Sequence, residues 1–324
     1  MTSGRRRGFG IAAAVSLVSL VLLAIGGCGA GQGEAGEDGR IPVVASTDAW
    51  ASVVTAVGGD EVSVKAIIGS SSADPHSYES TATDGLDVAE SALMIYNGGG
   101  YDDFAGRLAE QDSELPTINA FEVSGHGADE HADEHAEDTE NTEDAHQHGH
   151  GENEHVWYDL DTVAKVADAI ATRLGEIRPE SAGTFTDNAK AFKADLDKLA
   201  KTLSAVGAGK DHVDVLATEP VAHYLIDGAG IDDVTPKAFS EATEGETDVP
   251  VAMQDEIMRM IKGKQVSVVI NNPQTETPVT GQVVAAAKDA GVPVVDITET
   301  LPDGVSDYVT WIGGQVDALS AAVG

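Results

Sequence analysis

PESAGTFTDNAKAFKADLDKLAKTLSAV, residues 179–206, is the stretch whose reading decides the fold. Pro179 suits the first position of a helix, where its missing N–H leaves nothing unsatisfied. Phe185, Phe192, Leu196, Leu199 and Leu203 then recur at helical spacing. A helix of that extent runs about 40 Å at 1.5 Å per residue. It is long enough to act as a rigid strut spanning two lobes.

On both sides of it, apolar β-rich runs alternate with helical patterns. Upstream, strands are expected at 41–46 (IPVVAS), 62–68, 92–96 (ALMIY) and 116–119. Helices are expected at 49–57, 83–89, 102–110 and 160–177, the last carrying Val163, Val166, Ala167, Ile170 and Leu174. Downstream, strands are expected at 212–217, 266–270 (VSVVI) and 292–297 (VPVVDI), with helices at 219–229, 251–262, 278–290 and 307–323. Such alternation argues for parallel sheets. The expected fold class is therefore α/β: two α/β lobes, each with a mainly parallel sheet flanked by helices, joined by one long rigid helix. The N-terminal lobe is placed at 40–178, the connecting helix at 179–206 and the C-terminal lobe at 207–324. Ligands of open α/β sheets sit beyond the C-terminal strand ends, so two facing lobes would make a cleft there.

Composition narrows the function. The 324 residues carry 19 Lys+Arg against 55 Asp+Glu, a net charge of -36. Phosphate binding needs a basic face, so a nucleic-acid partner is excluded. Hydrophobic residues make up 42%, enough for a sizeable core. One cysteine, Cys28, permits neither an intrachain disulfide nor a thiolate metal cluster.

That cysteine closes an export address. Arg5, Arg6 and Arg7 precede an uncharged run from Phe9 to Ile25, then Gly26-Gly27-Cys28. Residues 1–28 are read as a lipoprotein signal peptide whose Cys28 is lipidated, since the pattern resembles the bacterial lipobox. Acyl chains would then hold the protein on the outer face of the cytoplasmic membrane. Residues 29–39 (GAGQGEAGEDG) are read as a flexible tether.

Residues 122–154 hold 12 Asp+Glu and no Lys or Arg, together with His126, His131, His135, His146, His148 and His150. With nothing apolar to bury, the segment is expected to be a disordered acidic loop within the N-terminal lobe. Neutral imidazole is the commonest zinc ligand, so its histidines are read as weak, secondary metal-collecting groups. His131-Ala-Asp-Glu-His135 matches the H-x-x-E-H pattern of some zinc peptidases, but that chemistry needs a rigid buried helix.

Outside the loop stand Asp74-Pro75-His76-Ser77-Tyr78-Glu79 and Asn153-Glu154-His155-Val156-Trp157-Tyr158-Asp159. Together these resemble two motifs of the zinc/manganese solute-binding lipoproteins of bacterial ABC importers, the cluster A-I metal-binding receptors. Their patterns run approximately D-P-H-x-Y-E and N-P-H-V-W-x-D, each His binding the metal. Glu154 stands where Pro is usual and Ser80 follows Glu79 where Pro is common; neither departure is expected to touch a ligand. The Tyr96-Asn97-Gly98 turn, the His-rich insert, the long central helix and Gly291-Val292-Pro293-Val294-Val295 with Thr298-Glu299-Thr300 fall in family order, so the resemblance covers nearly the whole chain.

The resemblance implies His76 and His155 as ligands. For the third, Thr218-Glu219-Pro220-Val221-Ala222-His223-Tyr224 offers Glu219, as in manganese-type relatives, with His223 on the same helical face as the alternate. Glu219 alone has another reading, as an acid complementing a helix N-terminus. The fourth is Glu299, with Asp296 as second choice. Two imidazoles and two carboxylates cancel the charge of a divalent cation. Four protein ligands leave no open position for an activated water, so no enzyme activity is expected. The cargo is read as Zn²⁺, since many histidines offer little for capturing Mn²⁺, which is the alternative. The implied partners are an ABC permease and its separate ATPase subunit, with the receptor itself a monomer. A zinc buffer or chaperone and an extracellular zinc hydrolase are the rival functions.

Overall fold

The computed structural model describes residues 39–69, 74–126, 153–245 and 247–324. Cys28, the signal and tether up to residue 38, and His131, His135, His146, His148 and His150 lie outside the described residues.

Ile41–Thr47 (β1) is apolar along almost its whole length and buried on both faces, as a central parallel strand requires. It pairs with β2 (Val62–Ile68) on one side and β3 (Leu93–Tyr96) on the other, and β3 pairs with β4 (Thr117–Asn119). All three pairings are parallel, in the order β2-β1-β3-β4. Helices α1 (Asp48–Gly58), α2 (Ala82–Ala89) and α3 (Asp103–Ala109) make the connections. A short α4 (Ala120–Ser124), unassigned in the sequence, follows β4 with Asn119 as its cap.

The second lobe repeats the plan. β5 (Asp214–Ala217), β6 (Asp232–Asp233), β7 (Val268–Asn271) and β8 (Val294–Asp296) run parallel in the order β6-β5-β7-β8. The first strand of each sheet is flanked by its second and third. The chain therefore reverses its direction of travel at β1/β3 and again at β5/β7, the switch points where α/β sheets collect ligands.

Between the sheets lie α5 (Leu160–Ile177) and α6 (Ala182–Ser204), while α7 (His223–Ala229) connects β5 to β6. The strut expected over 179–206 is regular α-helix only across its 23 middle residues, because Pro179–Ser181 forms a 3₁₀ turn and the helix frays after Ser204. Phe185, Ala189, Phe192, Leu196 and Leu203 form its buried stripe. One hydrophobic cluster takes in that stripe, Val53, Val57, Val163 and Ile170 from the first lobe, and Leu225, Ile312 and Val316 from the second. Ile312 and Val316 belong to α11 (Tyr308–Val323), the closing helix. Helices α8 (Lys237–Glu244), α9 (Val251–Lys262) and α10 (Pro278–Ala290) complete the second lobe.

Hydrogen bonds cross the seam as well. The Tyr158 hydroxyl donates to the Thr298 carbonyl at 2.5 Å, and Tyr308 Oη donates to the Trp157 carbonyl at 2.5 Å. Tyr308 N–H donates to Ser52 Oγ at 2.7 Å. Leu301 N–H donates to Asp48 Oδ1 at 3.2 Å. A continuous core with such ties resists hinge motion, since separating the lobes would expose apolar surface and orphan buried polar groups.

Phe185 is wholly buried, so Phe185→Ala should cost about 3–5 kcal/mol in urea unfolding; a loss below about 1 kcal/mol would mean the strut is not packed as described. Burial pushes the Asp48 carboxyl up to about 6, partly offset by the Leu301 N–H it accepts. Its folded form therefore holds a proton more tightly than the unfolded chain does. That contribution is full below pH 4 and is lost as pH rises through 6. Asp48→Asn should raise stability at pH 7.5 by about 1 kcal/mol, solvent screening of this half-buried group allowed for, and change little at pH 4. Thermal unfolding at the two pH values reads the difference.

Candidate metal centre

The site is assembled at the C-terminal ends of the strands. After β2, Asp74 organises the turn that carries His76. Asp74 Oδ1 accepts the His76 backbone N–H at 2.9 Å and faces His76 Nδ1 at 3.2 Å, while Ser77 Oγ donates to Asp74 Oδ2 at 3.1 Å. With Nδ1 bound to a carboxylate, Nε2 is aimed away from the turn, an arrangement typical of metal-ligating histidines.

After β3, Asn97 carries the second histidine segment. Gly98 has φ of +76° and a Cβ there would fall 2.2 Å from Asn119 Oδ1, so the turn needs glycine. Asp102 accepts the N–H groups of Asn97 and Gly98, both at 2.7 Å. Asn97 Nδ2 in turn donates to the Glu154 carbonyl at 2.8 Å. Next to it, Asn153 Oδ1 accepts the His155 N–H at 2.9 Å and contacts His155 Nδ1 at 3.0 Å. Asn153 Nδ2 donates to the Pro220 carbonyl at 2.9 Å, which fixes the amide's orientation. An amide oxygen only accepts, so His155 carries its proton on Nδ1 and leaves the lone pair on Nε2. Burial holds this imidazole neutral, down to about 4, although Glu154 opposes the shift. A neutral buried imidazole with a free Nε2 is the form that binds metal.

The two rings lie 6.1 Å apart, centroid to centroid. Tyr101 packs against both at right-angled geometry, and Trp157 lies against His155 and Tyr101. Two glutamates meet the imidazoles. Glu154 Oε1 is 3.4 Å from His76 Nε2, and Glu244 Oε1 is 3.8 Å from the Nε2 atoms of both His76 and His155. One ligand atom from each of His76, Glu154, His155 and Glu244 lies within 4.8 Å of the others. Tetrahedral bonds of about 2.1 Å set neighbouring ligand atoms about 3.4 Å apart, so a small contraction would enclose an ion. Glu244 Oε1 is buried and has no hydrogen-bond partner. A carboxylate oxygen left in that state fits a cation that completes its surroundings.

The charges of this metal-free arrangement are strongly coupled. Burial works against the His76 cation, but Asp74 and Glu154, with Glu299 and Glu244 beyond them, raise it to about 11. The same contact holds Asp74 down at about 2. Burial pushes the Glu244 carboxyl well up, reinforced by the neighbouring Glu154 carboxyl, whereas the His76 contact outweighs burial at Glu154 and draws it down. The two carboxyls are thus shifted in opposite directions, Glu244 toward its acid form and Glu154 toward its carboxylate.

The remaining expected ligands stand beside this cluster. Asn272 Nδ2, just after β7, donates to Glu219 Oε2 at 2.8 Å and to Glu299 Oε1 at 2.6 Å. The Thr275 hydroxyl also donates to Glu219, and Tyr101 Oη donates to Glu299 Oε2 at 3.0 Å. Burial raises both carboxyls, Glu219 to about 7, and each feels the charge of His76. Both are therefore buried within electrostatic reach of His76, though neither is in the four-residue group. His223 is exposed and packs edge-on to Tyr224, and Asp296 is exposed and accepts from Asn271 Nδ2 at 2.8 Å. His126 stacks on Tyr224 and faces Asp159 Oδ2 at 3.3 Å, away from the cluster.

Two expectations change. Glu154 is not a neutral departure from the motif, because its carboxylate is one of the four converging groups. The acidic segment is ordered at both ends, where Lys165 Nζ donates to the Ser124 carbonyl at 3.0 Å and Tyr224 Oη donates to the Asn153 carbonyl at 2.7 Å; residues 127–152 lie outside the described residues.

Residues 43–322 match the family described as the periplasmic component A of zinc-uptake complexes, ZnuA. The chain belongs to this family. Among curated relatives, the manganese-binding lipoprotein MntA of Halalkalibacterium halodurans is 25% identical over 71% of each chain. MntA of Bacillus subtilis is 22% identical over 86% of this chain and 85% of its own. Among solved structures, the periplasmic zinc-binding protein TroA of Treponema pallidum superposes with a TM-score of 0.67 at 18% identity, covering 88% of this chain and 99% of TroA. The AdcAII protein of Streptococcus pneumoniae gives 0.67 at 20%, covering 87% and 98%. These structures share the two-lobed α/β fold.

An ion taking His76 as a ligand must displace the proton it holds at neutral pH, and Glu219, raised to about 7, gives up part of a second. Binding at pH 7 should therefore release between about one and two protons, and affinity should fall as pH falls. Calorimetry in buffers of different ionisation enthalpy counts them; a release near zero would show that His76 stays outside the coordination shell.

Proposed function

We propose that the protein is an extracytoplasmic receptor that captures one divalent transition-metal ion between its lobes and delivers it to an ABC permease driven by a separate ATPase subunit. The observation that carries this reading is the convergence of His76 and His155, from two separate segments, on Glu154 beside them and Glu244 from the opposite lobe. The ligands proposed are His76, His155, Glu219 and Glu299. The family and the names of the relatives, metal-binding lipoproteins and zinc-uptake components, support the same role. Relatives so named also support a lipid anchor, here at Cys28, on the outer face of the membrane. With its ligands drawn from the protein, the site has binding as its task rather than catalysis, and the receptor acts as a monomer.

Zinc is the proposed cargo. Two imidazoles form the heart of the site, and the flanking segment supplies six more histidines of use mainly to zinc. A manganese-type reading has its own support: four glutamates line the pocket, and the relatives MntA and PsaA are named for manganese. Metal-edge anomalous scattering from protein purified without added metal discriminates the two.

The test of the site removes residues 127–152, keeping Ser124 and Asn153 in their ordered contacts. The shortened protein should retain one tight zinc site in competition with a chromophoric chelator. His76→Ala or His155→Ala in that background should weaken it more than about 100-fold, beyond the range seen when only supporting groups are lost. Unchanged affinity would sink the cleft reading, and loss of all tight binding on shortening would favour a buffer whose main site is the His-rich segment.

A further inference from the structure

Two pairs of carboxylates flank the same two imidazoles, and they differ in kind. Glu219 and Glu299 are 9% and 5% exposed and are held in place by Asn272, Thr275 and Tyr101. Glu154 and Glu244 have side chains 18% and 26% exposed, and they come from opposite lobes. Glu154 follows Asn153 on the first lobe, while Glu244 is the last residue of α8 in the second.

Glu244 stands where an acid is unfavourable. The C-terminal end of a helix already carries partial negative charge from its free carbonyls. Its buried Oε1 has no hydrogen-bond partner and points between the Nε2 atoms of His76 and His155, 3.8 Å from each. The helix end itself is secured, since Gly245 N–H donates to the Glu241 carbonyl at 3.1 Å and Thr247 N–H to the Ala242 carbonyl at 2.9 Å. An oxygen so placed, with no hydrogen bond to hold it, is arranged to meet a cation that both imidazoles also meet.

Building on the receptor reading above, we propose that Glu154 and Glu244 form a transfer pair, which holds a divalent metal ion against His76 and His155 while it passes between solvent and the buried carboxylates Glu219 and Glu299. The ion reaches this partly exposed pair first, exchanges water for their oxygens stepwise, and is taken inward as Glu219 and Glu299 replace them. Release runs the same steps backwards. No hinge opening is needed, which suits lobes joined by one core. A group that contacts the ion only in transit lowers the barrier in both directions. It therefore changes the loading and release rates by the same factor and leaves their ratio alone.

Full-length Glu154→Gln, Glu244→Gln and the double variant preserve side-chain size and remove the negative charge. Stopped-flow loading with Zn²⁺ alone or Mn²⁺ alone, release into excess EDTA, and equilibrium competition give both rates and the affinity. The double variant should load and release about tenfold more slowly, with affinity changed less than about threefold, and the slowing should persist at 0.5 M salt, where the Debye length is only a few ångströms. Glu219→Gln should instead weaken affinity. Wild-type rates in the double variant would overturn the proposal. So would slowing that disappears in high salt, which means electrostatic steering, or an affinity loss equal to that of Glu219→Gln, which means resident ligands. The receptor reading fails separately: it falls if His155→Ala keeps tight binding, whereas loss of binding in His155→Ala with wild-type rates in the glutamate variants removes the transfer step alone.

Discussion

The bond between His155 Nδ1 and Asn153 Oδ1 is the constraint on which the site depends. It decides which nitrogen carries the proton, and so leaves a lone pair on the nitrogen that faces the opposite lobe. Asn153 is itself tied across the seam by its bond to the Pro220 carbonyl and by the Tyr224 hydroxyl. The orientation of one imidazole is thus coupled to the relative position of the lobes. Asp74 does the same for His76 from within a single turn. Because Asp74 is charged and Asn153 is neutral, the two histidines rest in opposite protonation states: one is a cation that neighbouring carboxylates stabilise, the other a neutral ring that burial keeps so.

That asymmetry has an electrostatic use. Four glutamates around two imidazoles would repel one another if all were ionised in a pocket of low dielectric. The protonated His76 and the upward shift of the Glu244 carboxyl offset much of that repulsion while the site holds no ion. A divalent cation replaces those positive charges with its own, so the pocket keeps a similar charge balance with and without cargo. A site built only for tight holding would have no need of such reversibility.

Most of the fold was legible because strands buried on both faces read as continuous apolar runs. Ile41–Thr47 and Val62–Ile68 stand within a residue of where the sequence placed them, and Leu160–Ile177 and Pro278–Ala290 coincide with their helical periodicity. The strut was legible in its buried stripe but not in its ends, where a proline-led 3₁₀ turn looks the same as a first helical turn. The two-residue β6 and the eight-residue α8 gave no signal. KAFSEATE has Phe239 as its one large buried anchor, too little to establish a period. In the site, His76 and His155 were legible from their flanking residues, since Asp74 and Asn153 orient them through local bonds. Glu244 was not, because its role exists only through a contact between lobes, 89 positions along the chain from His155.

The same contact bears on how a receptor with so little freedom to hinge can let its ion go. The core is shared by α6, α1, α5 and α11, and Tyr158, Tyr308 and Asp48 bond across it. Rotating one lobe away would disturb all of these together. By contrast, α8 is short, rests on the smaller cluster around Leu216, Ile257 and Val269, and carries Glu244 at its very end. Local opening free energies in proteins range from near zero in weakly packed pieces up to the global value in the core. A segment such as α8 can therefore shift while the strut and both sheets stay fixed. With one oxygen at the end of that short helix and the others on strand ends and bonded turns, a shift of α8 as a unit would open a path to the site while Glu219 and Glu299 keep their hydrogen bonds, which is the division of labour the proposed transfer requires.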